Sequence, residues 1–219
     1  MTIEEGQFVE LDYTARIADE DTVFDTTKED VAKEHGLSQS DNHSFEPMVV
    51  CLGEGHIIQG LDEDLIGKEI GSYDLHIEAE RAFGKKNPEL LQIIPEKKFK
   101  EQDMNPRPGL EINVDGEYGV VKKVGGGRVV VDFNHPLSGK DILYDVEVLR
   151  IVEDAKEQAE SLINKIGMPY ESLDVDGTDA VIRVNMDLPD EFKENLIEEF
   201  KRLTDLDITI TTEDDEEDE

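Results

Sequence analysis

Five histidines, a single cysteine and 55 aspartates and glutamates carry whatever covalent or metal chemistry this chain could perform. A bound metal needs several such ligands at short, regular spacings, and His35, His43, His56, His76 and His135 show no paired spacing of that kind. His35 and His43 near Asp41 are the one grouping worth naming, and they fall in a polar stretch, 28–46. Cys51 lies within an apolar strand-like run, 48–52, where a small buried hydrophobe is a simpler reading than a nucleophile. Gly125, Gly126 and Gly127 lack the following helix and the Lys-Ser/Thr pair of a phosphate cradle, so they read as a hairpin turn. Asp25 alone reads as a turn or solvated acid. Tyr13, Phe24, Met48, Val50, Ile57, Ile58, Leu61, Phe83 and Tyr144 read, by type alone, as ordinary core. No cofactor, metal or nucleophile is expected.

The elements that must position these residues follow from hydrophobic periodicity. Residues 8–17 alternate, with Val9, Leu11, Tyr13, Ala15 and Ile17 on one face and Glu10, Asp12, Thr14 and Arg16 on the other, the pattern of a half-buried strand. Residues 23–27 end a second short strand, 29–35 form a short helix closed at Gly36, and 48–52 form another strand. A short helix over 61–66 puts Leu61 and Leu65 on one face, and 73–79 alternate again. From Asn87 onward Pro88, Pro95, Pro106 and Pro108 punctuate the chain, and the runs 118–124 and 128–133 predict a hairpin about the three glycines. A last alternating strand, 142–151, matches the N-terminal strands rather than the hairpin. Beyond Glu153 a helical stripe of Ala155, Ala159, Leu162, Ile163 and Ile166 closes at Gly167, and Asp176-Gly177 marks a second hairpin. Pro189 opens a helix with the stripe Phe192, Leu196, Phe200 and Leu203, and 208–211 form a final strand.

The fold class expected is therefore α+β: an antiparallel sheet wrapping a short helix, a β-rich inserted domain and a C-terminal α-β-β-α-β module. The expected divisions are 1–86 for the first part of the main domain, 87–136 for the insert, 137–152 for the last strand of the main domain, 153–212 for the C-terminal module and 213–219 for an acidic tail. The formal net charge of −33 repels phosphate, which is bound through Lys and Arg; neither a nucleic acid nor an anionic membrane is an expected partner. No apolar run is long enough to span a bilayer, and the acidic start of the chain lacks the basic and apolar segments of a secretion signal. With one cysteine and so no internal disulfide, a cytoplasmic protein is expected. The acidic excess is spread through segments with strong periodicity, which predicts a folded surface adapted to high salt and a halophilic archaeal source, although Lys still outnumbers Arg.

The loop and helix Gly53-Glu54-Gly55-His56-Ile57-Ile58-Gln59-Gly60-Leu61 resemble the core motif of the FKBP-type peptidyl-prolyl cis-trans isomerases. Four more pieces stand in the order that family expects: Tyr13, Phe24-Asp25-Thr26, Ala82-Phe83-Gly84 and Tyr144-Asp145-Val146-Glu147-Val148-Leu149. The segment after Gly84, ending in Asn134-His135-Pro136-Leu137-Ser138-Gly139-Lys140, resembles the insert-in-flap domain of SlyD-like and long archaeal members. The resemblance covers roughly residues 5–151.

What the resemblance implies is an enzyme that speeds rotation about X-Pro bonds in unfolded or partly folded polypeptides, with the insert acting as a chaperone. It implies catalytic roles for Tyr13, Phe24, Asp25, Ile58, Phe83 and Tyr144, and substrate binding by Met48, Val50, Ile57 and Leu61, with Leu61 the floor of the proline cleft and the Ile58 amide holding a substrate carbonyl. Met48 stands where many members have Phe, Leu61 where single-domain members have Trp, and Phe83 where a Tyr hydroxyl usually reaches the substrate. The missing hydroxyl removes one hydrogen bond, ~1 kcal/mol. A monomer is expected. The competing readings are a holdase with a weak isomerase cleft, and an adaptor whose C-terminal module docks a partner.

Overall fold

The computed structural model describes residues 2–37, 45–114 and 116–212; Asp41, His43 and the acidic tail 213–219 lie outside them. The chain divides into two compact units, Met1–Ile77 with Ile142–Glu219, and Glu78–Asp141. The first unit opens with β1 (Phe8–Ile17), β2 (Thr22–Thr26), α1 (Glu29–His35), β3 (Met48–Cys51), α2 (Gln59–Leu65) and β4 (Gly71–Ile77). The second holds β5 (Leu91–Pro95), α3 (Glu96–Glu101), β6 (Glu111–Val114), β7 (Glu117–Gly125) and β8 (Arg128–Asp132). The chain then returns to the first for β9 (Ile142–Ile151), α4 (Ala155–Ile166), β10 (Ser172–Asp176), β11 (Asp179–Val184), α5 (Asp190–Thr204) and β12 (Asp207–Thr212). The fold is mixed α/β, with antiparallel sheets and five α-helices among the described residues. None of these helices is long and apolar enough to cross a membrane.

The main sheet of the first unit is antiparallel, ordered β2-β1-β9-β4, with β3 also paired to β1. One edge of β1 serves two strands: Phe8–Leu11 pair with β3, and Thr14–Ile17 pair with β2. Its other edge pairs along its length with β9. Val9, Leu11, Tyr13, Ala15 and Ile17 are buried, as their alternation predicts. Phe8 and Thr14 are buried as well, against the simple two-face pattern. Thr14 Oγ1 lies 3.0 Å from Oγ1 of Thr26, its partner across the ladder, so the polar groups satisfy each other. Phe8 is covered because the C-terminal elements pack on that end of the sheet.

Those elements form a three-stranded sheet, β10-β11-β12, carrying α4 and α5. β10 and β11 are joined through Gly177, whose φ of +64° suits glycine, while β11 and β12 run parallel and need the crossover that α5 supplies. Helix α4 begins where the Asp154 side chain accepts the Glu157 N–H and ends at Gly167, φ +64°. Ala159, Ile163, Leu196, Phe200 and Leu206 share one apolar core with Phe8 and Cys51 of the main sheet and with Val152, which follows β9. Two members of the expected stripes, Ile166 and Phe192, are each 40 % exposed, since both lie in terminal turns of their helices. Pro189 caps α5 rather than standing inside its first turn.

Cys51 has no exposed surface, and its thiol is directed at the Gly6 carbonyl at 3.4 Å. Burial, aided by the nearby Glu54 and Asp62, pushes the thiol up from 9.0 to about 11. The folded state therefore keeps a proton that the unfolded chain releases, and it loses that advantage as pH rises from about 9 toward 11. A maleimide or iodoacetamide reagent at pH 8 should leave the native thiol unmodified over hours and label it within minutes in denaturant. Labelling at equal rates in both states would place Cys51 on an opening, reactive segment.

The second unit is a four-stranded antiparallel sheet, β5-β8-β7-β6, over a small core of Phe99, Ile112, Val121, Val129 and Val131. β7 turns into β8 through Gly126 and Gly127, with φ of +59° and +72°, the two positive values that a type I′ hairpin turn requires. Gly119 has a different reason to be glycine: a Cβ there would stand 2.7 Å from the Phe133 ring. The ends of the unit are tied side by side. Asn87 N–H donates to Asn134 Oδ1 at 2.7 Å, and Asn134 Nδ2 donates back to the Asn87 carbonyl at 3.0 Å. Beyond them Gly139 N–H bonds the Gly84 carbonyl at 2.7 Å. Asp132 is buried here; burial alone pushes its carboxyl up, but bonds from Asn134, with Lys86 and Lys122 nearby, hold it below the ordinary value.

Candidate functional site

Strand register assembles the first wall of the site. Asp25 on β2 faces Ala15 on β1, Ala15 faces Tyr144 on β9, and Tyr144 faces Leu75 on β4. Because side chains on a strand repeat every two residues, Tyr13 shares the face of Ala15 and stands diagonal to both Asp25 and Tyr144. The Tyr13 hydroxyl donates to Asp25 Oδ2 at 2.7 Å, and the Tyr13 and Tyr144 rings lie 5.6 Å apart at 53°. Ala15 contributes only a methyl group at the middle of this row, so the longer side chains on either side can converge above it. Phe24 enters through a fault in the ladder: Ala15 pairs with Asp25 but Arg16 pairs with Val23, leaving Phe24 as the extra residue of a β-bulge. A bulge re-aims its side chain out of the regular alternation, and Phe24 and Asp25 are both half-buried.

Burial pushes the Tyr13 phenol far above its ordinary value, and the adjacent Asp25 charge and hydrogen bond push it further. Tyr144 is raised by burial and then by Asp25. Both phenols are thus neutral donors at any physiological pH. This wall can orient polar groups, and its two phenols offer no phenolate to attack or abstract a proton.

The second wall runs from β3 into α2. Met48 and Val50 face Leu11 and Val9 across the ladder; Val50 is buried and Met48 half-buried. Gly53 and Gly55 then take φ of +87° and +64°, and a Cβ on Gly53 would meet Glu5 Cγ at 2.5 Å. The Asp62 carboxylate, on α2 and only 6 % exposed, accepts the amides of Gly53 and Gly55 at 2.8 and 3.2 Å. His56 Nδ1 accepts the Cys51 N–H at 3.2 Å. Ile58 is the extended N-cap of α2, and its carbonyl accepts the amides of Leu61 and Asp62. Its own N–H has no hydrogen-bond partner among the described residues. Ile57 is half-buried and Leu61 buried to 1 % exposure. Tyr13, Met48 and Val50 also line a cavity of about 450 Å³, together with Glu10, Arg150, Ser161 and Lys165; Asp25, Ile57, Ile58, Leu61 and Tyr144 do not line it.

Phe83 belongs to the second unit. It is half-buried, its ring stacks on His135 at 4.9 Å and 6°, and its carbonyl accepts the Ser138 hydroxyl at 3.1 Å. All the other expected site residues lie in the first unit, where Tyr13 contacts both Asp25 and Tyr144. Asp62 was not among the expected residues. The available signal was an acid in the first turn of a helix that follows Gly-x-Gly, a position from which a carboxylate reaches the amides of the preceding loop.

Residues 92–137 match the family described as "FKBP26, IF domain". The short-type peptidyl-prolyl cis-trans isomerase of Methanocaldococcus jannaschii is 32 % identical over 157 residues, covering 71 % of this chain and 98 % of that one. The FKBP-type 16 kDa peptidyl-prolyl cis-trans isomerase of Escherichia coli is 32 % identical over 120 residues, 52 % of this chain and 80 % of its own. The FKBP-type isomerase SlyD of Pasteurella multocida is 29 % identical over 133 residues, 58 % of this chain and 66 % of its own. On this antiparallel sheet Tyr13 contacts both the Asp25 carboxylate and the Tyr144 ring. The chain belongs to the FKBP-type peptidyl-prolyl cis-trans isomerases, of the SlyD-like kind.

Proposed function

We propose that this isomerase acts on X-Pro bonds of unfolded and partly folded chains, in a cleft formed by Tyr13, Phe24, Asp25, Met48, Val50, Ile57, Ile58, Leu61 and Tyr144. The observation that carries the reading is the unpartnered Ile58 amide at the end of a pinned loop, set in the same unit as the Tyr13–Asp25–Tyr144 row. Rotation about a peptide C–N bond costs ~18–20 kcal/mol because amide resonance must be lost. The planar amide is more polar than the twisted one, so a dry, aromatic-lined cleft favours the twisted form. A donor on the neighbouring carbonyl holds one side of the bond while the proline ring, seated on Leu61, turns. Lowering the barrier by ~4 kcal/mol gives roughly a thousandfold acceleration, with no bond made or broken.

The second unit supplies capture. Leu91 and Ile93, 43 and 62 % exposed, lie on β5 at the edge of its sheet, an arrangement suited to receiving an extended chain. Capture raises the local concentration of a client's prolines at the cleft. The cytoplasm of a salt-adapted organism is the setting that the −33 charge and single cysteine support.

The amide's role has a direct test. Ile58 has φ of −60°, which proline tolerates, so Ile58→Pro deletes the N–H with little backbone strain. In a protease-coupled assay on an X-Pro tetrapeptide, Ile58→Pro should lower kcat/KM about fivefold, the equivalent of one ~1 kcal/mol hydrogen bond. Ile58→Val, which keeps the amide, should stay near the parent. Equal rates for Ile58→Pro and Ile58→Val would remove the amide from the mechanism.

A further inference from the structure

The loop that ends at Ile58 is held from a second side, by the C-terminal elements. Arg202 of α5 donates from Nη1 and Nη2 to the two carboxylate oxygens of Glu54, at 2.6 and 2.8 Å. Glu54 lies between Gly53 and Gly55, the two residues whose amides Asp62 accepts from α2. The loop is therefore gripped at three consecutive residues, by α2 through the backbone and by α5 through a side chain. Cys51, the last residue of β3 before the loop, is buried in the same apolar core as Phe200, two residues before Arg202. Two glycines at positive φ have no intrinsic preference for this conformation over others, so the loop's shape is set by what holds it. A planar guanidinium meeting a carboxylate in two parallel bonds fixes orientation as well as distance. The Arg202 bonds also hold the Glu54 carboxyl below its ordinary value, so the pair stays ionised through neutral pH and is released only as pH falls below the usual carboxylate range.

We infer that the C-terminal elements are a working part of the isomerase, with Arg202 a positioning residue that acts through Glu54 on the Gly53–Ile58 loop and thereby on the Ile58 amide. This rests on the proposed role of that amide. An exposed ion pair contributes little to global stability, so the effect appears in turnover and in local opening rather than in melting.

The experiment compares Arg202→Ala, Glu54→Gln and the charge exchange Arg202→Glu with Glu54→Arg against a control, Lys201→Ala. The control removes a neighbouring pair of α5, Lys201–Asp207 at 2.9 Å, without touching the loop. Tetrapeptide kcat/KM and amide hydrogen exchange at Gly53 and Gly55 are measured well below the melting temperature. Breaking the pair by either single substitution should lower kcat/KM about fivefold and speed exchange at both glycines about tenfold. The charge exchange should recover most of both, and Lys201→Ala should change neither. Glu54→Gln leaves every backbone contact of the loop in place, so the test survives a poorly folding Arg202→Ala. Unchanged turnover with unchanged exchange overturns the clamp alone. Faster exchange with unchanged turnover overturns the clamp's catalytic role and, with it, the reading of the Ile58 amide. Slower turnover without faster exchange also overturns the inference, because the effect then bypasses the loop.

Discussion

Asp25→Asn should lower kcat/KM for an X-Pro tetrapeptide about tenfold, ~1.4 kcal/mol of barrier, while leaving the melting temperature within about a degree. The asparagine keeps an oxygen for the Tyr13 hydroxyl, which donates to Asp25 Oδ2 at 2.7 Å, but removes the charge that faces the two buried phenols. Asp25→Ala is a harsher change. It strands the Tyr13 hydroxyl, on a residue only 8 % exposed, and a buried unsatisfied group costs ~1–3 kcal/mol. At this chain length each kcal/mol lowers Tm by roughly 2–4 °C, so the alanine variant loses both turnover and several degrees. Rate and stability thus separate in the asparagine variant and fall together in the alanine variant. Parent-like turnover in Asp25→Asn would take the carboxylate out of the site and leave it as a hydrogen-bond partner of Tyr13 only.

Replacing residues 88–133 with a short Gly/Ser loop separates the two activities proposed for the chain. The cut points follow from the structure: Asn87 and Asn134 are paired to each other in both directions, and Phe83 stacks on His135, so the ends stay tied when the sheet between them is gone. A tetrapeptide needs only the cleft, and its isomerisation should persist within about tenfold. Proline-limited refolding of a whole protein, which needs capture first, should slow by about a hundredfold or more as effective concentration is lost. Suppression of aggregation should weaken in parallel with the refolding rate. If tetrapeptide and protein substrates slow equally, the second unit captures nothing. If both persist, capture belongs to the C-terminal elements.

Much of this architecture was legible because it rests on two-residue periodicity. β1 and β9 alternate over most of their length, and the register between them brings Tyr13 and Tyr144 together without any signal beyond the strand pattern. The glycine turns were legible for a related reason, since Gly126-Gly127 and Gly177 are needed wherever φ is positive. β5 and β6 were not, because Pro88, Pro95, Pro106 and Pro108 interrupt the pattern and the strands between them are short. The bulge at Phe24 is a matter of ladder register, which a single strand's sequence does not carry. Buried Thr14 and Phe8 each depend on a partner elsewhere in the chain, Thr26 for one and the C-terminal core for the other. The Arg202–Glu54 pair joins residues 148 positions apart, and no local pattern announces it.

The discontinuity of the first unit has a consequence for how the chain folds as it is made. β1 can pair with β2 and β3 early, but its other edge waits for β9, so Tyr13 meets Val146 only after the whole second unit has been synthesised. The second unit has no such wait: its four strands are consecutive and its core is its own. Contacts between distant residues are slow to form, and domains fold as units in the order in which they emerge. Until β9 arrives, β1 and β4 each present an open strand edge, the kind of surface that pairs with other chains. During synthesis the 78–141 unit is therefore complete while its host is still an open sheet, and the part of the molecule that starts first finishes last.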